Sequence, residues 1–158
     1  ISLEELENNY DAIYIGIGAN KSNKMNIPGE DINGVSGGNE LLEHGIKLDY
    51  KGKNIVISGG GNVAMDVARV AKRNGATRVT VVYRRGRDEM PADVKEVEEA
   101  IEDGIEFIYQ TNILKVLGKD KVTGIEVIRT ELVKKEGESR LSPVNIEGSE
   151  YTIDCDYL

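Results

Sequence analysis

The sequence is poor in the residues that build covalent cross-links and metal centres. Its 158 residues include one cysteine, Cys155, and one histidine, His44. A single cysteine excludes an intramolecular disulfide and any cysteine-cluster metal site. A single histidine excludes a histidine-paired zinc site and removes most histidine-based triads, so no metal ligand set is expected. Basic residues are also in deficit, 20 against 28 acidic, giving a net charge of −8. That balance argues against nucleic acid or an anionic membrane as partner, since both need a broad positive surface. No apolar run approaches the roughly 18 residues of a membrane span. No signal-peptide pattern opens the chain, and a cytoplasmic location is expected. There is no initiator methionine, and the last residues, Tyr151 to Leu158, stop inside an apolar strand-like run. The expectation is a piece of a longer protein.

What is present points to one folded domain spanning residues 1–158. Hydrophobic residues make up 39% and charged residues 30%, a globular balance. A chain of this size buries roughly 70% of its unfolded surface.

Periodicity predicts the elements. Ser2-Leu-Glu-Glu5 is a capping-box pattern opening a short helix to about Glu7. Tyr10 to Ile17 is a β-branched and aromatic run that predicts a buried strand. A loop with a Pro28-Gly29 turn follows from Gly18 to Gly34, then a helical stretch from Asn39 to Glu43 ending near Gly45. Lys53 to Ser58 predicts a strand and Gly59-Gly60-Gly61 a tight turn. Asn62 to Asn74 predicts a helix with Val63, Val67, Val70 and Ala71 on its apolar side and Gly75 at C′. Arg78 to Tyr83 is a second strand. Pro91 suits the first turn of a helix running to about Asp103 and stopped by Gly104. Ile105 to Tyr109 is a third strand. Strands alternating with helices imply a doubly wound, Rossmann-like α/β fold with a three-layer parallel sheet. After Gln110 the period changes to that of an antiparallel β-meander. Its strands are Ile113 to Leu117, Val122 to Val133 and Tyr151 to Cys155, with polar breaks at Gly118 to Lys121 and Lys134 to Gly148.

Gly59-x-Gly61-x-x-Ala64 is the dinucleotide fingerprint with alanine in third place. Gly59 allows the strand-to-helix turn, Gly61 lets backbone approach a pyrophosphate, and small Ala64 lets helix and strand pack closely. Gly60 lies between them, and the N–H groups of Asn62 and Val63 at the helix start suit phosphate oxygens. The motif follows a strand and opens a helix inside a unit of about 31 residues, the context it requires. The residue that selects the cofactor lies about 20 positions on, at the end of the second strand. There the chain carries Arg84 and Arg85, with Arg87 close by and no carboxylate at the strand end. Guanidinium forks suit the 2′-phosphate of NADPH.

Taken together, Gly59-Gly-Gly-Asn-Val-Ala-Met-Asp66, Val82-Tyr-Arg-Arg85 and Glu89-Met-Pro-Ala92 resemble the small (beta) subunit family of NADPH-dependent glutamate synthase. Tyr10 to Ala19 and Ile27-Pro-Gly-Glu30 with Gly34-Val35 are similar to the exit from that family's FAD domain. Asp154 to Leu158 resembles the strand returning to it. The resemblance implies an NADPH-binding domain inserted in an FAD domain, with residues 1–20 and 151–158 as the connections. It assigns the pyrophosphate role to Gly59, Gly61, Asn62 and Val63, and the 2′-phosphate role to Arg84 and Arg85. It further implies hydride transfer from NADPH to FAD and onward passage of electrons to an iron–sulfur partner. That partner would be the glutamate synthase large subunit or another electron-accepting subunit. FAD and the iron–sulfur clusters belong to the full-length protein, because a lone cysteine cannot hold a cluster. The chain alone is expected to bind NADPH without turning it over.

Such transfer needs no protein acid or base, so no catalytic residue is assigned. Asp66 reads as a first-turn acid suited to the helix N-terminus. Glu98 and its acidic neighbours read as a solvated helix face, Cys155 as a buried strand residue and His44 as a surface helix-end residue. A short-chain dehydrogenase would need Tyr-x-x-x-Lys, and no tyrosine here has lysine four positions later. An NADP(H)-sensing regulatory module without chemistry stays open as an alternative. Charge is segregated: Arg69 to Arg87 carries seven basic residues and no acidic one, while Asp88 to Glu106 carries nine acidic residues against Lys95.

Overall fold

The computed structural model describes all residues except 17, 19, 20, 45–47, 136, 138 and 139. Three layers follow from side-chain alternation on a central parallel sheet. Its strands are β1 (Asn54–Ser58), β2 (Arg78–Val82) and β3 (Glu106–Ile108), in the order β1-β2-β3. The register pairs Val56 with Thr80 and Val81 with Phe107, all parallel. Successive side chains on a strand face opposite ways. Ile55, Val79 and Val81 enter one core, and Val56 and Val82 enter the other.

The first core is closed by two helices, α3 (Asn62–Arg73) and α4 (Val94–Glu102). Met65, Ala68 and Ala71 from α3 and Val97 and Ala100 from α4 are buried there. Met65 is fully buried, which favours the fold by about 1.5–3 kcal/mol. The second core lies against an antiparallel sheet of β4 (Thr111–Gly118), β5 (Val122–Val133), β6 (Ser142–Asn145) and β7 (Tyr151–Asp154). Strand β5 pairs with all three of the others. The expected Rossmann-like sheet with an antiparallel meander is thus the observed fold. Helices cover one face of the parallel sheet and the meander covers the other.

Short elements complete the chain. Helix α1 (Leu3–Asn9) has the expected capping box, with Ser2 Oγ accepting from Glu5 N–H at 3.1 Å. Helix α2 (Gly38–His44) contains the expected stretch, and Gly45, its expected stop, lies outside the described residues. After β7 the chain crosses back, and Tyr157 joins the free edge of β1 by a parallel bridge to Ile55. Asp156 holds this crossing, accepting from Asn54 N–H at 2.9 Å and Lys53 Nζ at 3.3 Å. The Asn54 hydrogen bond, with help from Lys53, keeps the Asp156 carboxyl below its usual range. Among the described residues, no helix is long and apolar enough to cross a membrane.

Several expectations are corrected. Tyr10 to Gly16 forms no strand; Tyr14 is 95% exposed and Ile15 67%. A strand needs a hydrogen-bonding neighbour, and none of the described residues pairs with this segment; Ile17 and Ala19 lie outside them. The buried side of α3 is rotated from the expected one: Ala64, Met65 and Ala68 replace Val63 and Val70. Val67 and Ala71 are buried as expected. Pro91 precedes α4 instead of opening it, because Asp93 is the N-cap and accepts from Lys95 N–H at 2.9 Å. The polar break from Lys134 to Gly148 contains β6, paired with Thr130 to Val133 of β5. Asp66 is exposed at the fifth position of α3, beyond its first turn.

Candidate functional site

The glycine turn sits where β1 gives way to α3. Gly59 has φ of 142°, a value that favours glycine. Its N–H donates to Val82 O at 3.1 Å, tying the turn to β2. A Cβ built on Gly59 would stand 3.5 Å from Ala64 Cβ, so the small third residue of the motif is in direct contact with the first. Ala64 and Met65 both donate N–H to Gly61 O, at 3.0 and 3.2 Å. Ahead of them the N–H groups of Asn62 and Val63 have no acceptor among the described residues. Unpaired donors at a helix start, with the dipole behind them, are the physical basis of phosphate binding. The Asn62 side chain is otherwise engaged, accepting from Asp93 N–H at 2.9 Å.

Gly60 has its own steric requirement, which the spacing rule leaves unexplained. A Cβ there would lie 2.7 Å from the Tyr83 ring. Gly60 O also accepts from Ala92 N–H at 3.0 Å, and Tyr83 Oη donates to Glu89 O at 2.9 Å. The glycine turn, the end of β2 and the segment before α4 therefore form one packed unit.

The arginines leave β2 directly after Tyr83. Arg84 and Arg87 are exposed, while Arg85 is half-buried. The Arg85 Nε is buried and has no hydrogen-bond partner among the described residues. Buried charged donors are normally paired, so this atom is an unmet demand for an acceptor. The structure thus connects two groups that the sequence kept separate, through the contact of Tyr83 with Gly60.

On the other side of the glycine turn lies a cleft of about 960 Å³. Gly59, Gly61, Val63 and Ala64 line it together with Tyr50 and Leu158. It runs along β1, beside the returning Tyr157, to the turn that follows Ser58, and in open α/β sheets the ligand crevice lies at the carboxyl ends of the strands. Tyr50 is buried at its edge, with its ring 5.3 Å from that of Tyr157. Burial pushes the Tyr50 hydroxyl pKa up.

Other expected features take structural roles. Glu98 is solvated as expected, but its neighbours are not a free acidic face. Glu96, Glu99 and Asp103 grip Arg69 of α3 at 3.1, 2.7 and 2.9 Å. Arg69, one of the seven basic residues of that run, is thereby spent on holding α3 to α4. Cys155 is buried one residue past β7, and burial, with Asp156 and Asp154 nearby, pushes its thiol up to about 12. It remains protonated near neutral pH. The His44 side chain lies outside what is described.

Comparison with known proteins fits this geometry. The family model for pyridine nucleotide-disulphide oxidoreductases matches residues 3–158. The chain belongs to the pyridine nucleotide-disulphide oxidoreductase family. It is 41% identical over 163 residues to the NADPH-Fe(3+) oxidoreductase subunit beta of Geobacter sulfurreducens, covering 99% of this chain and 24% of that protein. It is 37% identical to the glutamate synthase [NADPH] small chain of Halomonas elongata, covering 97% of this chain and 35% of that one. The family resemblance expected from the motifs is therefore shown, and the chain spans about a quarter to a third of these relatives' length. FprA from Mycobacterium tuberculosis, solved in complex with NADPH, superposes with a TM-score of 0.80 at 21% identity, over 99% of this chain and 51% of that one. Thioredoxin reductase from T. acidophilum superposes at 0.64 with 19% identity, over 87% of this chain and 39% of that one. These two likenesses speak for the fold.

Proposed function

We propose that this chain is the NADPH-binding domain of a flavoprotein oxidoreductase of the glutamate synthase beta type. The observation that carries the reading is the orphaned, buried Nε of Arg85, on a turn packed against the glycine turn through Tyr83 and Gly60. A 2′-phosphate would supply the acceptor that this donor lacks, with Arg84 and Arg87 exposed beside it to complete the charge. The N–H groups of Asn62 and Val63 would hold the pyrophosphate, with Gly59, Gly60, Gly61 and Ala64 keeping side chains out of its way. The residues present thus fit the cofactor at both of its charged ends.

Bound there, NADPH would supply a hydride from its nicotinamide C4 to FAD of the same polypeptide, and the reduced flavin would pass the two electrons singly to an iron–sulfur partner. This chain's residues bind, orient and shield; none is assigned as acid or base. The nicotinamide half in this reading extends toward the cleft beside Gly59 and Gly61. In this reading residues 1–20 and 151–158 connect to the FAD domain. The partner is the glutamate synthase large subunit or another electron-accepting subunit, and the location is the cytoplasm. The names of the relatives support an NADPH-linked oxidoreductase over a regulatory module.

The test is a titration of the protein expressed from its full reading frame with NADPH and NADH. NADPH is expected to bind more tightly. Arg84→Ala and Arg85→Ala should each lose about one to two decades of NADPH affinity, the worth of one charge-assisted contact, and leave NADH nearly unchanged. Equal affinities for the two nucleotides in the unmutated protein would overturn the reading.

A further inference from the structure

The turn that carries the arginines is held by the antiparallel sheet through a closed ring of hydrogen bonds. The Thr130 hydroxyl on β5 donates to Arg84 O at 2.8 Å. The Thr130 N–H donates to Gln110 O at 2.7 Å, and the Gln110 N–H donates to Arg85 O at 3.0 Å. One position earlier, Thr111 N–H donates to Tyr83 O at 3.1 Å. Three successive carbonyls, those of Tyr83, Arg84 and Arg85, are thus engaged by Thr111 of β4, Thr130 of β5 and Gln110 on the link just before β4. Loops that leave a strand end are ordinarily free to vary; this one is fixed at each residue.

Two details indicate that the ring is built for position. Thr130 is 4% exposed at an inward point of β5, where valine would fill the same space, and its hydroxyl is directed at Arg84. Gln110 has φ of 47°, a left-handed conformation uncommon for a residue with a side chain. That conformation lets its N–H and C=O serve Arg85 and Thr130 at once.

We infer that Thr130 and Gln110 are positioning residues for the 2′-phosphate pocket, setting how strongly the site prefers a 2′-phosphorylated nucleotide. The inference rests on the reading of Arg84 and Arg85 given above. Thr130 and Gln110 touch no ligand; they fix the backbone from which the two guanidinium groups project. A bidentate fork is sensitive to such placement, since its two donors must meet two oxygens together.

The experiment compares binding of adenosine 2′,5′-bisphosphate and AMP to the protein from its full reading frame, by calorimetry. The ratio of the two affinities isolates the 2′-phosphate. Thr130→Val, which keeps shape and removes the hydroxyl, is expected to lower that ratio about three- to ten-fold, the worth of one neutral hydrogen bond. Thr130→Ser should restore it. An unchanged ratio in Thr130→Val, or equal weakening of both ligands, overturns the inference. If Thr130→Val does not fold, Gln110→Val decides in the same two ways, because a β-branched residue resists the left-handed conformation. Arg84→Ala and Arg85→Ala are measured alongside. If they leave the ratio unchanged, the phosphate reading itself falls. If they lower it while the Thr130 and Gln110 variants do not, only the positioning role falls.

Discussion

The ring of Tyr83 rests on the backbone of Gly60 so closely that a Cβ would lie 2.7 Å away. Tyr83 cannot simply swing aside, because its hydroxyl is tied to Glu89 O and Gly60 O is tied to Ala92 N–H. Gly60→Ala should therefore force the glycine turn and the arginine turn apart. Overpacking of this kind costs about 1–3 kcal/mol, and the thermal midpoint should fall accordingly. NADPH affinity should fall in the same variant. Combining Gly60→Ala with Tyr83→Ala should cost less than the sum of the single changes, since the clash is then gone. Strict additivity in that double-mutant cycle would refute the packing account.

Much of this architecture is legible in the sequence because local signals agree with the fold. Gly59, Gly61 and Ala64 have fixed spacing between a strand and a helix, and Gly75, with φ of 89°, stops α3 where its position implies. The family resemblance rests on these same motifs and holds across the chain. What was not legible depends on distant partners. Tyr10 to Gly16 has strand composition, but pairing is a property of a neighbour, and none of the described residues supplies it. Glu96, Glu99 and Asp103 look like a solvated face until Arg69, on another helix, is placed among them. Thr130 and Gln110 carry no motif; the one available signal was a threonine at an inward position of a long apolar strand.

The Arg69 cluster gives the domain an acid-sensitive joint. Arg69 donates to Asp103 and Glu96 and pairs with Glu99, linking α3 to α4. Its hydrogen bond holds the Asp103 carboxyl below the usual range. A carboxyl whose folded pKa is depressed contributes stability that is complete above its unfolded value, near about 3.9. That contribution is lost as pH falls through the folded value. Arg69→Gln should therefore lower the thermal midpoint at neutral pH and flatten the loss of stability between about pH 4 and pH 2. Thermal scans of both proteins across that range check the sign. A variant whose acid limb stays as steep as the parent's would show that Asp103 draws its low pKa from elsewhere.

Arg85 offers the sharpest separation between a structural and a binding role. Its Nε is buried without an acceptor among the described residues, and an unsatisfied buried donor costs about 1–3 kcal/mol. Replacing it by methionine keeps much of the stem's apolar packing and removes the unmet donor. Arg85→Met should leave the thermal midpoint of the nucleotide-free protein unchanged or raise it. The same change should shrink the rise in midpoint on adding saturating NADPH, because ligand stabilisation scales with the logarithm of affinity. Opposite signs for stability and binding are what a residue kept for its ligand must show. If Arg85→Met lowers the midpoint without nucleotide and leaves the NADPH-induced rise intact, Arg85 is a structural residue, and Arg84 and Arg87 would have to hold the phosphate without it.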